Sequence, residues 1–169
     1  AKEAVVIACG TAVSALLKAD IVPDIYVAVE RMKSSADFLK ILDAEGFLKK
    51  MAFLSVDVIH PDCKSFFRRT AVAFKPNEPM FKLLARHIGA DLSFDSIEYS
   101  NPFVGNTGLN YATLLGFKTM YLFGVDNGYK DQDKHHSTLS LYYNENKESK
   151  ITAPMHDTFP VKANFGGEV

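Results

Sequence analysis

The stretch Ala4-Val5-Val6-Ile7-Ala8-Cys9-Gly10-Thr11-Ala12-Val13-Ser14-Ala15-Leu16-Leu17-Lys18, with Pro23-Asp24-Ile25-Tyr26-Val27-Ala28-Val29-Glu30 after it, decides the fold. Its opening is a short apolar run rich in β-branched residues, the composition of a strand buried on both faces. Gly10 and Thr11 punctuate the run, and Ala12 to Lys18 follows as a helix. Pro23 keeps Val22 extended, so Asp24 to Glu30 reads as a second strand. Strand, helix and strand make one βαβ unit, and the pattern continues outward from it. From about Ser35 to Lys50, Phe38, Leu39, Ile41, Leu42, Phe47 and Leu48 share a helix face, with Gly46 as an interruption. Ala52 to Val56 is a third strand and Ala71 to Phe74 a fourth; between them His60-Pro61-Asp62 opens a short helix, with Pro61 in its first turn. Pro79 opens another helix to about Ile88, closed by Gly89 as a left-handed cap. Gly108 to Leu115 reads as a helix closed by Gly116, and Thr119 to Val125 as the clearest strand of all. This alternation predicts a three-layer, Rossmann-like α/β fold. A mostly parallel sheet carries helices on both faces, and ligand binds beyond the carboxyl ends of its strands.

Composition narrows the function. The 169 residues suit a single domain, and 47% hydrophobic content supplies a core without disulfides or metals. Lys and Arg number 19 against 20 Asp and Glu, so the basic excess of a nucleic-acid binder is missing and no nucleic-acid partner is expected. Of the two cysteines, Cys9 lies in the first apolar run and reads as a buried, inert thiol. No apolar stretch reaches the roughly 20 residues of a membrane span, and no secretory pattern is visible; the default expectation is cytoplasmic, without membrane. After Val125 the character changes: residues 126–150 are polar and without period, the expected active-site loop or lid, with Asn144 to Lys150 as its mobile part.

Doubly wound folds keep their chemistry in loops that follow strands. Cys9-Gly10-Thr11 offers close backbone approach and a hydroxyl, or is an ordinary strand–helix turn. Glu30-Arg31 closes the second strand, where Glu30 suits a ribose hydroxyl or is half of a solvated charge pair. Asn101-Pro102-Phe103-Val104-Gly105-Asn106-Thr107-Gly108 brings amides and a hydroxyl to a helix start, a natural anion or nucleotide site. It is neither a Walker loop nor G-x-G-x-x-G. Asp126 directly follows the most apolar run, where a carboxylate is costly unless it meets solvent or ligand. His135-His136 supplies a general acid, a phosphate partner or a ligand, or else a solvated loop. Tyr129, Tyr142 and Tyr143 can hold a phosphate by hydrogen bonds or pack a lid, and His156 is a further candidate. No zinc spacing is present, so no metal site is expected.

In order and spacing, Phe103-Val104-Gly105-Asn106-Thr107-Gly108, Leu114-Leu115-Gly116-Phe117-Lys118, Tyr121-Leu122-Phe123-Gly124-Val125-Asp126, and Gly128-Tyr129-Lys130-Asp131 with His135-His136-Ser137 form one set. That set resembles the Maf-type, motility-associated flagellin glycosyltransferase family. Ile21-Val22-Pro23-Asp24-Ile25-Tyr26-Val27 and Asn164-Phe165-Gly166-Gly167-Glu168-Val169 match further segments of it, so the resemblance covers nearly the whole chain. More distantly the core is similar to bacterial sialyltransferases that use CMP-sialic acid. The resemblance implies transfer of a nonulosonic acid, a sialic-acid-like sugar, from a CMP-activated donor to Ser or Thr of flagellin. It sets Gly10, Thr11, Asn106, Thr107 and Gly108 at the CMP moiety and Glu30 near its ribose or base. Asp126 falls at the donor-sugar end and Tyr129 and Tyr143 at the phosphate. A histidine, His136 ahead of His156, is the implied catalytic base. No cofactor is required, though Asp126, Asp131 and Asp133 would recruit Mg2+ loosely.

The family's G-x-G-P-S-L motif is absent, and the chain starts in what resembles the family's second strand. The expectation is an incomplete domain, residues 1–169, lacking its Gly-rich phosphate loop, with the activity belonging to a longer parent. An edge left open in this way would favour homodimers. Two other readings stand beside the first. One is a magnesium- and ATP-dependent diphosphokinase of the hydroxymethylpterin type, similar in the Pro23-Asp24 strand and at Gly124-Val125-Asp126. The other is a non-catalytic module that binds nucleotide sugar or flagellin.

Overall fold

The structure, a computed structural model, describes residues 4–76, 78–88, 96–125, 137–140, 143 and 146. Four parallel strands, β1 (Ile7–Cys9), β2 (Ile25–Ala28), β3 (Ala52–Val56) and β4 (Arg69–Ala73), pair in the order β1-β2-β3-β4. The register sets Ile7 beside Ile25, Ile25 beside Ala52 and Ala52 beside Arg69, so all four strands start along one edge and finish along the other. Asp24 sharpens the first edge. Its carboxylate accepts the Val6 amide at 2.8 Å, which continues the β1–β2 pairing beyond the strand ends.

Strand residues alternate between the faces of a sheet, and both faces here are apolar. One face carries Ala8, Tyr26, Ala28 and Phe53. It is covered by Val13, Leu16 and Leu17 of α1 (Ala12–Lys18) and by Ala36 and Leu39 of α2 (Ser34–Leu42). Leu48, Cys63 and Phe67 complete the layer from the connections. Tyr26, Phe53 and Phe67 stack here, the closest ring centroids 4.5 Å apart. The opposite face carries Val27, Leu54, Val56 and Ala73. There Ile97 and Tyr111 close it, the latter from α4 (Val104–Leu114). The result is the expected layered α/β arrangement, with parallel strands between helices.

Local signals place the boundaries. Gly46 takes φ 68° and ends the predicted Ser35–Lys50 helix, which resolves into α2 and two short 3-10 turns. His60 caps the 3-10 turn Pro61–Phe66 through its ring nitrogen, which accepts the Asp62 amide. Helix α3 (Pro79–Ile88) starts at its proline, as predicted. Gly89 lies outside the described residues.

Two expectations change. Helix α4 begins at Val104 rather than Gly108, so Asn106, Thr107 and Gly108 lie within the helix instead of before it. Residues Thr119–Val125 form no strand with a described neighbour. Tyr121 is 81% and Phe123 87% exposed. Apolar β-branched composition makes a segment fit for a sheet, but a strand exists only when another backbone takes its hydrogen bonds.

Candidate functional site

The carboxyl edge of the sheet gathers the ends of all four strands and the start of α4. Gly10 ends β1 at φ 57°, with its amide donating to the Val27 carbonyl at 2.8 Å. A Cβ there would stand 3.2 Å from Val104, so the β1–α1 turn and the first residue of α4 lie against one another. Thr11 precedes α1, and its hydroxyl makes no capping bond. Further in, Gly108 lets α4 lie directly on β1, because a Cβ at that position would overlap the Cys9 sulfur. Burial raises the Cys9 thiol to about 11, so it is protonated and inert at neutral pH.

Phe103, the residue before α4, is extended and provides no side-chain cap, and no acidic residue stands in the first turn. The Asn106 amide turns back to the Phe103 carbonyl, while the Val104 and Gly105 amides have no partner among the described residues. An eleven-residue helix thus has two N–H groups with no partner among the described residues, and the positive end of its dipole, beside Gly10 and Thr11. Val125 reaches the same place: a Cβ on Gly105 would meet its side chain at 3.3 Å. The structure therefore brings Gly10, Thr11, the α4 start and the approach to Asp126 together.

The other predicted residues divide. Asn106 is half-buried and donates its side-chain amide to the Asn101 carbonyl at 2.9 Å. Thr107 is fully buried and donates to the Ser100 carbonyl at 3.0 Å, so its hydroxyl holds the loop onto α4. Glu30 is exposed at the end of β2, and its carbonyl accepts the His60 amide. Tyr143 is buried, and Ser140 and Tyr143 are both hydrogen-bonded. Ser14 of α1 donates weakly to the Leu139 carbonyl at 3.5 Å, which brings 137–140 against α1. Asp126, Tyr129, His136 and His156 lie outside the described residues, as do Asp131 and Asp133. Among the described residues no three His, Cys, Asp or Glu side chains gather as a metal would need.

Sequence reading missed a polar group on this edge. After β4, Lys75 is buried and pairs with Glu78 at 3.0 Å, while Arg31 reaches Glu78 at 3.6 Å. The Lys75 amide donates to the Asp57 carboxylate at 3.1 Å, which ties the ends of β3 and β4. The Lys75 hydrogen bond, helped by the charges of Lys75 and Arg31, lowers the Glu78 pKa against the opposing effect of burial. The available signal was position: Asp57 and Lys75 each follow a strand directly. Tyr111 adds the last tie, its hydroxyl donating to the Ser55 carbonyl and accepting the Ala73 amide.

Fold and edge together define a Rossmann-like α/β domain with the start of α4 at the carboxyl edge of its sheet. The chain belongs to the family described as 6-hydroxymethylpterin diphosphokinase MptE-like, whose model matches residues 1–132. Among solved structures it is similar to the Maf glycosyltransferase from Magnetospirillum magneticum AMB-1, with 26% identity and a TM-score of 0.69. The likeness covers 98% of this chain and 23% of that one, so the chain spans about a quarter of that enzyme's length. No curated protein matches it. The kinship expected from the motifs, with Maf-type proteins in the diphosphokinase-like family, is thereby borne out. Among the described residues no helix is long and apolar enough to cross a membrane.

Proposed function

We propose that the chain is the nucleotide-sugar part of a glycosyltransferase that moves a nonulosonic acid from a CMP-activated donor to a Ser or Thr hydroxyl of flagellin. The observation that carries this reading is the likeness, over 98% of the chain, to a Maf glycosyltransferase. The carboxyl edge supports it chemically. The Val104 and Gly105 amides take the donor phosphate at the α4 dipole, with Thr11 and Asn106 beside it and Glu30 at the ribose. As the acceptor oxygen attacks the anomeric carbon, the bond from that carbon to the phosphate oxygen breaks, and CMP departs with the electron pair. The acceptor proton passes to His136 or His156, and Asp126, Tyr129 and Tyr143 serve the donor end. Charge grows on the phosphate in the transition state, so the two fixed amides act where they count most.

A second reading, ATP-dependent diphosphoryl transfer, draws support from the family description. Both readings use the same edge, and they differ in nucleotide and in magnesium. Incubating the full-length parent with CMP-activated nonulosonic acid and flagellin, with mass spectrometry of flagellin peptides, tests the first. The expected result is a sugar adduct, with a loss of about 100-fold or more in rate for whichever of His136→Ala and His156→Ala removes the base. Unmodified flagellin, alongside turnover of ATP with magnesium, would move the assignment to the second.

A further inference from the structure

At the opposite edge of the sheet lies an open cleft of about 670 Å3, lined by Gly46, Lys49, Lys50, Arg68 and Arg69. Lys49 and Lys50 end the 3-10 turn before β3, and Arg68 and Arg69 stand at the start of β4, so the parallel register gathers all four cations at the amino ends of the strands. All four are exposed, and none has an ion pair among the described residues. Lys75 and Arg31, by contrast, both meet the carboxylate of Glu78. Lys50 is further steadied above the Phe47 ring, its ammonium 5.1 Å from the centroid. Gly46 keeps one wall low: a Cβ there would meet nothing within 4 Å.

Four like charges around one concavity repel each other until an anion enters, and a compact multivalent anion relieves this best. Guanidinium forks match phosphate oxygens in pairs, while the ammonium groups supply point charge. We propose that this cleft is a second ligand site, for the linked phosphates of a diphosphate group. It is separate from the nucleotide site at the carboxyl edge. With strands rising about 3.3 Å per residue, the first and last residues of the five-residue β3 set the two edges about 13 Å apart.

Inorganic diphosphate titrated into the whole chain, followed by calorimetry and by backbone amide NMR, tests the assignment. Saturable binding is expected, with shifts at Gly46, Lys49 and Arg69, and with affinity at least tenfold weaker in the Lys50→Gln/Arg69→Gln double variant. Val104→Pro, which acts at the carboxyl edge, leaves the shifts at Gly46, Lys49 and Arg69 and their midpoint unchanged, whatever diphosphate also meets at the α4 start. Arg69→Lys keeps the charge but loses the fork, and falls between wild type and the double variant. No binding, or binding that survives the double variant and vanishes in Val104→Pro, would overturn the proposal. Because the two edges respond to different substitutions, failure here is distinguishable from failure of the glycosyltransferase reading.

Discussion

The two edges of this sheet use charge in opposite ways. At the carboxyl edge the cations are neutralised: Lys75 is buried against Glu78, and Arg31 leans on the same carboxylate. What has no partner there among the described residues is neutral backbone, the amides of Val104 and Gly105. At the amino edge Asp24 takes the Val6 amide, and what has no ion pair among the described residues is charge on four long side chains. Fixed amides suit a step in which charge develops, because they need no reorganisation. Flexible cations suit capture of a ligand already charged. On the two proposals above, one sheet would carry a place for chemistry and a place for binding, at ends that share a core.

The shared core gives the largest expected effect. Phe53 sits fully buried in the ring stack beneath both edges, and Phe53→Ala is predicted to cost about 3–5 kcal/mol in urea unfolding. Both edges should lose ligand response together; loss at one alone would break the picture of a common foundation. Gly108→Ala acts on one edge. Its added methyl must push α4 off Cys9, which costs about 1–3 kcal/mol and should weaken CMP binding while diphosphate binding at the amino edge persists.

Smaller again is the ion pair of Lys75 with Glu78. The Glu78 pKa is lowered in the fold, so its contribution is present above the ordinary carboxylate value and is lost as pH falls through the folded one. The stability gap between wild type and Glu78→Gln, of roughly 1 kcal/mol or less, should therefore hold at neutral pH and close as the pH is lowered below the ordinary carboxylate value, read from thermal melts. Least in energy is Cys9. With its thiol at about 11, it should react with maleimide at pH 7 far more slowly in the folded chain than in urea.

Much of this was legible in the residues. β3 falls at Ala52–Val56 as read, because a continuous apolar run buried on both faces has no competing period. Pro79 and Gly46 set a helix start and a helix end through backbone restriction alone. The Gly10-Thr11 turn and the start of α1 at Ala12 were also found, since glycine and small polar residues mark where a backbone comes close. Other features were not legible. The α4 start moved four residues because Phe103 carries no capping side chain to announce it. Thr107 looked like a ligand hydroxyl, and only the position of Ser100 shows what it bonds. The cationic cleft joins residues about 20 apart in sequence, and no local pattern marks a meeting that the parallel register creates.

The central claim is that the open amides of α4 receive a nucleotide phosphate. Val104→Pro tests it most directly, since proline fits the first position of a helix and Phe103 before it is already extended, so the substitution removes one donor and keeps the helix. The measurement is calorimetric titration of the wild-type chain and Val104→Pro with CMP, with ATP plus magnesium alongside. CMP binding is expected in the wild type, about tenfold or more weaker in the variant, with an unchanged far-ultraviolet spectrum. Equal CMP affinity in both proteins, or binding of ATP with magnesium alone, would contradict it.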